Sequence, residues 1–177
     1  MARPLQMVLK TLMPRRAVPG KSVLDPSVTR MRVSVFDLDM LFHVNNGIYL
    51  QMADVARWDF LADMGGLRRM RQKRWYPVVA AAAIKFKKSL ELNQKFTITT
   101  RVLGWDERII YLEQVFAVGD VVHATIWIAG RFLRVGGKRV PAPDVIELLS
   151  PAQPPESPEL PPEVAAWARA VDVAPRA

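Results

Sequence analysis

The stretch FDLDMLFHVNNGIYLQMADVARWDFLADMGG, residues 36–66, sets two carboxylates, an imidazole and two carboxamides directly ahead of a run too apolar for a surface helix. From Gly47 onward, Ile48, Tyr49, Leu50, Met52, Ala53, Val55, Ala56, Trp58, Phe60, Leu61 and Met64 wrap most of a helical circumference. Few polar positions remain beyond Gln51, Asp54 and Arg57, so this helix is buried on most sides. Gly65 and Gly66 stop it after about four to five turns.

The surroundings of this helix read as strands. Upstream, TRMRVSVF from Thr29 to Phe36 alternates, with Met31, Val33 and Val35 on one face, and leads into the polar loop. Downstream of the basic segment LRRMRQKRW, strands are expected near 78–88, 95–104, 108–118 and 121–135. The clearest has Phe96, Ile98, Thr100 and Val102 alternating with Lys95, Thr97, Thr99 and Arg101, the period of a half-buried strand. Gly104-Trp105-Asp106-Glu107 and Gly119-Asp120 supply turns between neighbours, which makes an antiparallel meander the expected order. One strand, one buried helix and four further strands cannot form a doubly wound parallel sheet, because the alternating helices are missing. The expected class is α+β, an antiparallel sheet of about five strands curled around one central helix. The open face and edges of such a sheet call for cover, so a homodimer or homotetramer is expected.

A length of 177 residues suits one domain with an appendage at each end. The domain is placed at 28–150. Residues 1–27, with Pro4, Pro14, Pro19, Pro26 and scattered cations, read as an irregular basic arm, and 151–177 as a Pro-rich tail whose PEVAAWARAV segment forms a short helix. The chain has no cysteine, which excludes disulfides, thiolate nucleophiles and Cys-based zinc or iron–sulfur sites. The N-terminal stretch is neither a transmembrane segment nor a signal peptide in pattern, and the expected location is cytoplasmic. A net charge of +8 favours anionic partners, among them nucleic acid, anionic membrane and phosphate-bearing molecules such as coenzyme A.

The loop before the helix carries the chemistry. A helix start offers unpaired N–H groups and partial positive charge, so an oxyanion could be stabilised near Asn46, Gly47 and Ile48. Asp39 could deprotonate water or attack a carbonyl, and His43 could orient the substrate, the water or the carboxylate. The plainer alternative is that Asn45 or Asn46 only caps the helix and that His43 is solvated. Asp37 and Asp39 together suggest a calcium loop, but Phe42 and Ile48 stand where an EF-hand needs Gly and Glu, so no metal is expected. No cofactor is required.

The pattern D-x-D-x-x-x-H-V-N-N, followed by a helix containing Tyr49, resembles the 4-hydroxybenzoyl-CoA and acyl-ACP thioesterase families, which are hotdog-fold enzymes. ARW at 56–58, IKFKKSL at 84–90 and GWDERIIYLEQ at 104–114 are similar to the branch that includes animal thioesterase superfamily member six. The likeness covers about residues 28–150. It implies a hotdog fold and hydrolysis of an acyl-CoA thioester, with Asp39 as nucleophile or general base, His43 as the motif histidine and the Asn46 N–H near the thioester carbonyl. Asn45, Gly47, Lys85 and Lys87 are the expected substrate-binding positions. Lys85 and Lys87 share a strand face and could meet one pyrophosphate, or could simply protect an edge. Hotdog hydratases space their Asp and His five apart, and here the spacing is four.

Other features have both functional and structural readings. Arg68, Arg69, Arg71, Lys73 and Arg74, with Trp75 and Tyr76, could grip a nucleotide or form a solvated face. Asp54 and Arg57 are expected to pair, and His123 to be structural, with Asp120 its nearest carboxylate in sequence. Met52, Trp58 and Phe60 read as core. Two alternatives to hydrolysis stand: a non-catalytic acyl-CoA or lipid-binding hotdog protein, and a basic RNA-binding domain, although no nucleic-acid partner is expected.

Overall fold

The alternating runs pair into one antiparallel sheet in a computed structural model that describes residues 3–150 and 152–174; the remaining ends of the expected arm and tail, with Pro151, lie outside the described residues. In chain order the elements are α1 (Arg3–Leu12), β1 (Ser27–Arg32), α2 (Asn46–Asp63), α3 (Gly66–Lys73) and β2 (Trp75–Phe86). They continue with β3 (Lys95–Trp105), β4 (Ile110–Val118), β5 (Val121–Arg134), β6 (Arg139–Val140), α4 (Ala142–Leu149) and α5 (Pro162–Ala170). The sheet order is β1-β3-β4-β5-β2, with the two-residue β6 also on β5.

Only β3, β4 and β5 form the expected meander. β2 pairs with β5 rather than β3, because α2 and α3 carry the chain across the sheet from β1 at one edge to β2 at the other. Register shifts at Val79/Ala81, Val102/Gly104 and Phe116/Ala117 mark bulges, which bend strands and increase twist. The sheet curls around α2 as a half-barrel. Tyr49, Met52, Ala53 and Ala56 of α2 pack with Phe96, Ile98, Phe116, Ile126 and Ile128 from the sheet. Phe116 lies 5.3 Å from the Tyr49 ring and 6.0 Å from Phe96.

Several expectations about local structure are corrected. β1 ends at Arg32, because Ser34 caps a 3-10 turn at Val35–Asp37 and leaves Val35 exposed. Residues 3–12 of the arm are helical, and the helix is held by ion pairs with residues distant in sequence. Arg3 pairs with Asp37, Lys10 with Asp59 and, beyond the helix, Arg15 and Lys21 with Asp63. Asp59 and Asp63 are buried on α2, and Asp59 also accepts from Thr29 Oγ1 of β1 at 3.0 Å. Residues 66–73 are also helical: Gly65 stops α2 in the left-handed region at φ 63° and the chain immediately restarts as α3. Arg69 of this basic helix donates to the Leu148 carbonyl, a free acceptor near the end of α4. Helix α4 itself was not expected. No helix among the described residues is long and apolar enough to cross a membrane.

Candidate active site

The loop between β1 and α2 is a small hairpin closed by a bridge between Leu38 and Val44. Asp39 N–H donates to the His43 carbonyl at 2.9 Å, and Phe42 N–H to the Asp39 carbonyl at 3.1 Å. Phe42 turns the corner at φ 58°, a left-handed conformation that a bulky side chain adopts only where its surroundings enforce it. The Asp39 carboxylate is fixed on one side: Oδ1 accepts from Leu41 N–H at 2.9 Å and His43 N–H at 3.4 Å. Its Oδ2 has no partner among the described residues, and the side chain is half-buried.

The other nominated residues sort into separate roles. Asn45 is the helix cap, its Oδ1 accepting from Gly47 N–H at 2.9 Å and its carbonyl from Ile48 N–H at 2.9 Å. That leaves the N–H of Asn46, the first helical residue, without an acceptor among the described residues. His43 is exposed and its imidazole is not bonded to Asp39; the two residues are linked through the backbone. Asp37 is withdrawn from any such site. It is buried, takes Arg3 Nε at 2.9 Å and Nη2 at 2.5 Å, and also accepts from Ser34 N–H at 2.7 Å.

Lys85, near the end of β2, and Lys87, just beyond it, are both exposed. Phe86, between them, lies edge-on to Tyr49 with ring centroids 5.1 Å apart. Leu90 N–H donates to the Tyr49 hydroxyl at 3.3 Å, and the Leu90 carbonyl accepts from Val44 N–H at 3.3 Å, tying this segment to the hairpin. Burial raises the Tyr49 hydroxyl above the usual tyrosine range, only partly offset by that bond from Leu90. His123 holds the segment from the sheet side: its ring Nδ1 lies 3.1 Å from the Ser89 carbonyl, and its own carbonyl accepts from Lys87 and Lys88 N–H. The ring's partner is thus the Ser89 carbonyl.

Further along α2 an apolar cavity of about 270 Å³ opens between the helix and the sheet, lined by Trp58, Phe60, Val78, Val102, Ile128 and Phe132 among others. Neither Asp39 nor His43 lines it. Asp54 and Arg57 form its polar wall, about 12 Å and about 16 Å along the helix from Asn46 at the helical rise. These two pair as expected, and Arg57 also donates to Gln114 Oε1 at 2.6 Å. Burial lowers the Arg57 pKa, against the opposing charge of Asp54. Gln114, fully buried, donates in turn to the Ala53 carbonyl at 2.9 Å and Thr100 Oγ1 at 3.0 Å. Sequence reasoning missed Gln114, Thr100 and the Arg3–Asp37 pair. The one available signal was a glutamine set among apolar strand residues.

A sequence model of the thioesterase-like superfamily matches residues 33–168, a span that contains the hairpin, α2 and the whole sheet from β2 onward. The chain belongs to this superfamily. Its fold is the hotdog, shared with solved structures such as the probable thioesterase YbaW of Escherichia coli, at a TM-score of 0.64, 24% identity and coverage of 70% of this chain and 98% of that one. Protein THEM6 of Xenopus laevis is 36% identical over 133 residues, covering 74% of this chain and 61% of that protein. THEM6 of Drosophila melanogaster is 30% identical, covering 77% and 69%. The long-chain acyl-CoA thioesterase FadM of Escherichia coli is 30% identical, covering 53% of this chain and 74% of that enzyme. The chain spans from about half to about two-thirds of the length of the THEM6 relatives, 48% to 69%. Within the superfamily match fall all seven nominated positions, Asp39, His43, Asn45, Asn46, Gly47, Lys85 and Lys87, whereas α1 lies before it.

Proposed function

We propose that this protein is a thioesterase that hydrolyses an acyl-CoA to the free acid and coenzyme A, with Asp39 as general base or nucleophile. The carrying observation is the carboxylate itself: backbone donors hold one oxygen of Asp39 and leave the other without a partner among the described residues, in the hairpin that leads into a helix whose first N–H also has none there. In the direct route Asp39 Oδ2 attacks the thioester carbon, the sulfur leaves and takes up a proton, and water then cleaves the resulting anhydride. In the base route Asp39 takes the proton from the attacking water. Either way negative charge grows on the carbonyl oxygen, and the Asn46 N–H at the positive end of α2 stabilises it. His43, exposed at the end of the hairpin, orients the substrate. Asn45 and Gly47 shape the helix start, and Lys85 and Lys87 meet the phosphates of coenzyme A.

The acyl chain is assigned to the cavity beneath α2, whose apolar lining suits the kind of long acyl chain for which the relative FadM is named. The working unit is a homodimer or homotetramer. Met40, Leu41 and Phe42 at the hairpin tip are 95%, 75% and 77% exposed, and the outer edges of β1 and β2 pair with no other strand among the described residues, so both surfaces gain from a second copy. Thiol release measured across acyl-CoAs of increasing chain length tests the assignment. Turnover that depends on chain length supports it. Saturable acyl-CoA binding with no release from any substrate refutes hydrolysis and leaves a binding protein.

A further inference from the structure

Helix α1 is built inside out. A helix on a protein surface turns its apolar stripe inward and its charges to water. In α1 the cations Arg3 and Lys10 face inward, onto the buried Asp37 and Asp59. Of its apolar residues Met7 packs on the core, whereas Leu5, Val8, Leu9 and Leu12, at the spacing of one helical face, are 48%, 51%, 38% and 68% exposed, and Met13 beyond them is 70% exposed. The ion pairs fix this rotation, because turning the stripe inward would take Arg3 from Asp37 and Lys10 from Asp59.

The stripe runs into a second unpartnered surface. Leu12 lines a cleft of about 440 Å³ together with Arg68, Arg71, Arg74, Trp75 and Tyr76. The three arginines, spaced three apart along α3 and its end, are exposed, and none has an ion pair among the described residues. A soluble anion would use the arginines but leave the stripe in water. A nucleic acid would do the same. An apolar helix face joined to free cations, with Trp and Tyr between them, matches a surface that is apolar inside and anionic outside.

We propose that α1 and α3 dock this protein onto an anionic lipid bilayer, with Leu5, Val8, Leu9 and Leu12 in the acyl boundary and Arg68, Arg71 and Arg74 on the headgroup phosphates. The net charge of +8 favours the approach. Docking is separate from the chemistry, since α1 precedes the superfamily match and only its inward Met7, none of the stripe residues, reaches the cavity assigned to the acyl chain.

Co-sedimentation of the full chain with phosphatidylcholine vesicles, with and without phosphatidylglycerol, tests the proposal. The natural protein should bind only the anionic vesicles, and more weakly as salt is raised. Val8→Asp with Leu12→Asp, both exposed and tolerable to the fold, should reduce binding at least about ten-fold, since two apolar side chains leave the lipid. Arg68→Gln with Arg71→Gln should reduce it roughly five-fold per arginine at low salt. No binding of the natural protein to anionic vesicles overturns the proposal, as does unchanged binding of either double variant. If Val8→Asp with Leu12→Asp instead lowers the lipid-free mass in light scattering, the face is an interface between copies and the proposal falls.

Discussion

Replacing Arg3 with Met should cost about 2–3 kcal/mol, although Arg3 sits near the beginning of the chain. The Asp37 side chain is 1% exposed and receives three donors, two of them from Arg3. Without Arg3 it keeps only the Ser34 N–H, and orphaning one member of a buried pair costs about 3–5 kcal/mol. Helix α1 can lift and admit water to Asp37, which sets the expected cost at or below the lower end of that range. For a domain of this size the melting temperature should fall by about 5–10 °C. Urea unfolding followed by tryptophan fluorescence measures the loss, and Arg3→Met, Asp37→Asn and their combination close a double-mutant cycle. The combination should recover about 1.5 kcal/mol or more relative to the sum of the single changes. A loss under about 0.5 kcal/mol for Arg3→Met, or strict additivity, refutes the claim that this pair anchors the arm.

Three further expectations can be checked with the same purified protein. Gln114→Leu removes the donor to Thr100 and the Ala53 carbonyl and the acceptor of Arg57, and should cost about 2–3 kcal/mol in urea unfolding. Gly104→Ala would set a methyl 2.7 Å from the Pro158 carbonyl oxygen and 3.0 Å from Leu160 Cδ2, displacing the tail segment there. The displacement should cost about 1–3 kcal/mol and appear as faster proteolysis between α4 and α5. The Tyr49 and Tyr111 hydroxyls are both raised above 10.0, Tyr49 by burial and Tyr111 by burial and then by Asp106. Because the folded values exceed the unfolded one, the unfolded chain loses these protons first as pH rises. The tyrosine contribution to stability is thus complete below about pH 10 and lost above it, and Tyr49→Phe with Tyr111→Phe should flatten the decline in urea midpoint over that range. An identical decline in the double variant would show that these hydroxyls are not responsible.

Where the signal was local, the sequence sufficed. The alternation through Phe96, Ile98 and Val102 became β3, and the apolar circumference from Gly47 to Met64 became a helix enclosed by the sheet on one side and α1 on the other. The course of β2 to the far edge was not legible, since nothing in its own residues specifies β5 over β3 as neighbour. Helix α1 was missed for a related reason: its orientation depends on Asp37 and Asp59, which are 34 and 49 residues away from Arg3 and Lys10. Helix α4 starts with Pro141 at its cap and Pro143 in its first turn, positions where a proline fits a helix start. In the loop, the polar residues before a buried helix stood out. Which carboxylate remained free did not, because Asp37 and Asp39 differ only in what folds over them: Arg3 over the first, and no side chain of the described residues bonded to the second.

The most direct test of the account compares the natural protein with Asp39→Asn on the best acyl-CoA substrate, reading turnover and acyl-CoA affinity separately. Asparagine keeps the acceptor oxygen that Leu41 and His43 N–H groups hold, and removes the charge from the other position. The account predicts a fall in kcat of about 10²–10⁴ with affinity nearly unchanged, as expected for loss of a positioned base or nucleophile. Turnover by Asp39→Asn within about two-fold of the natural protein would contradict it, since a positioned carboxylate at the reacting centre is worth far more than that.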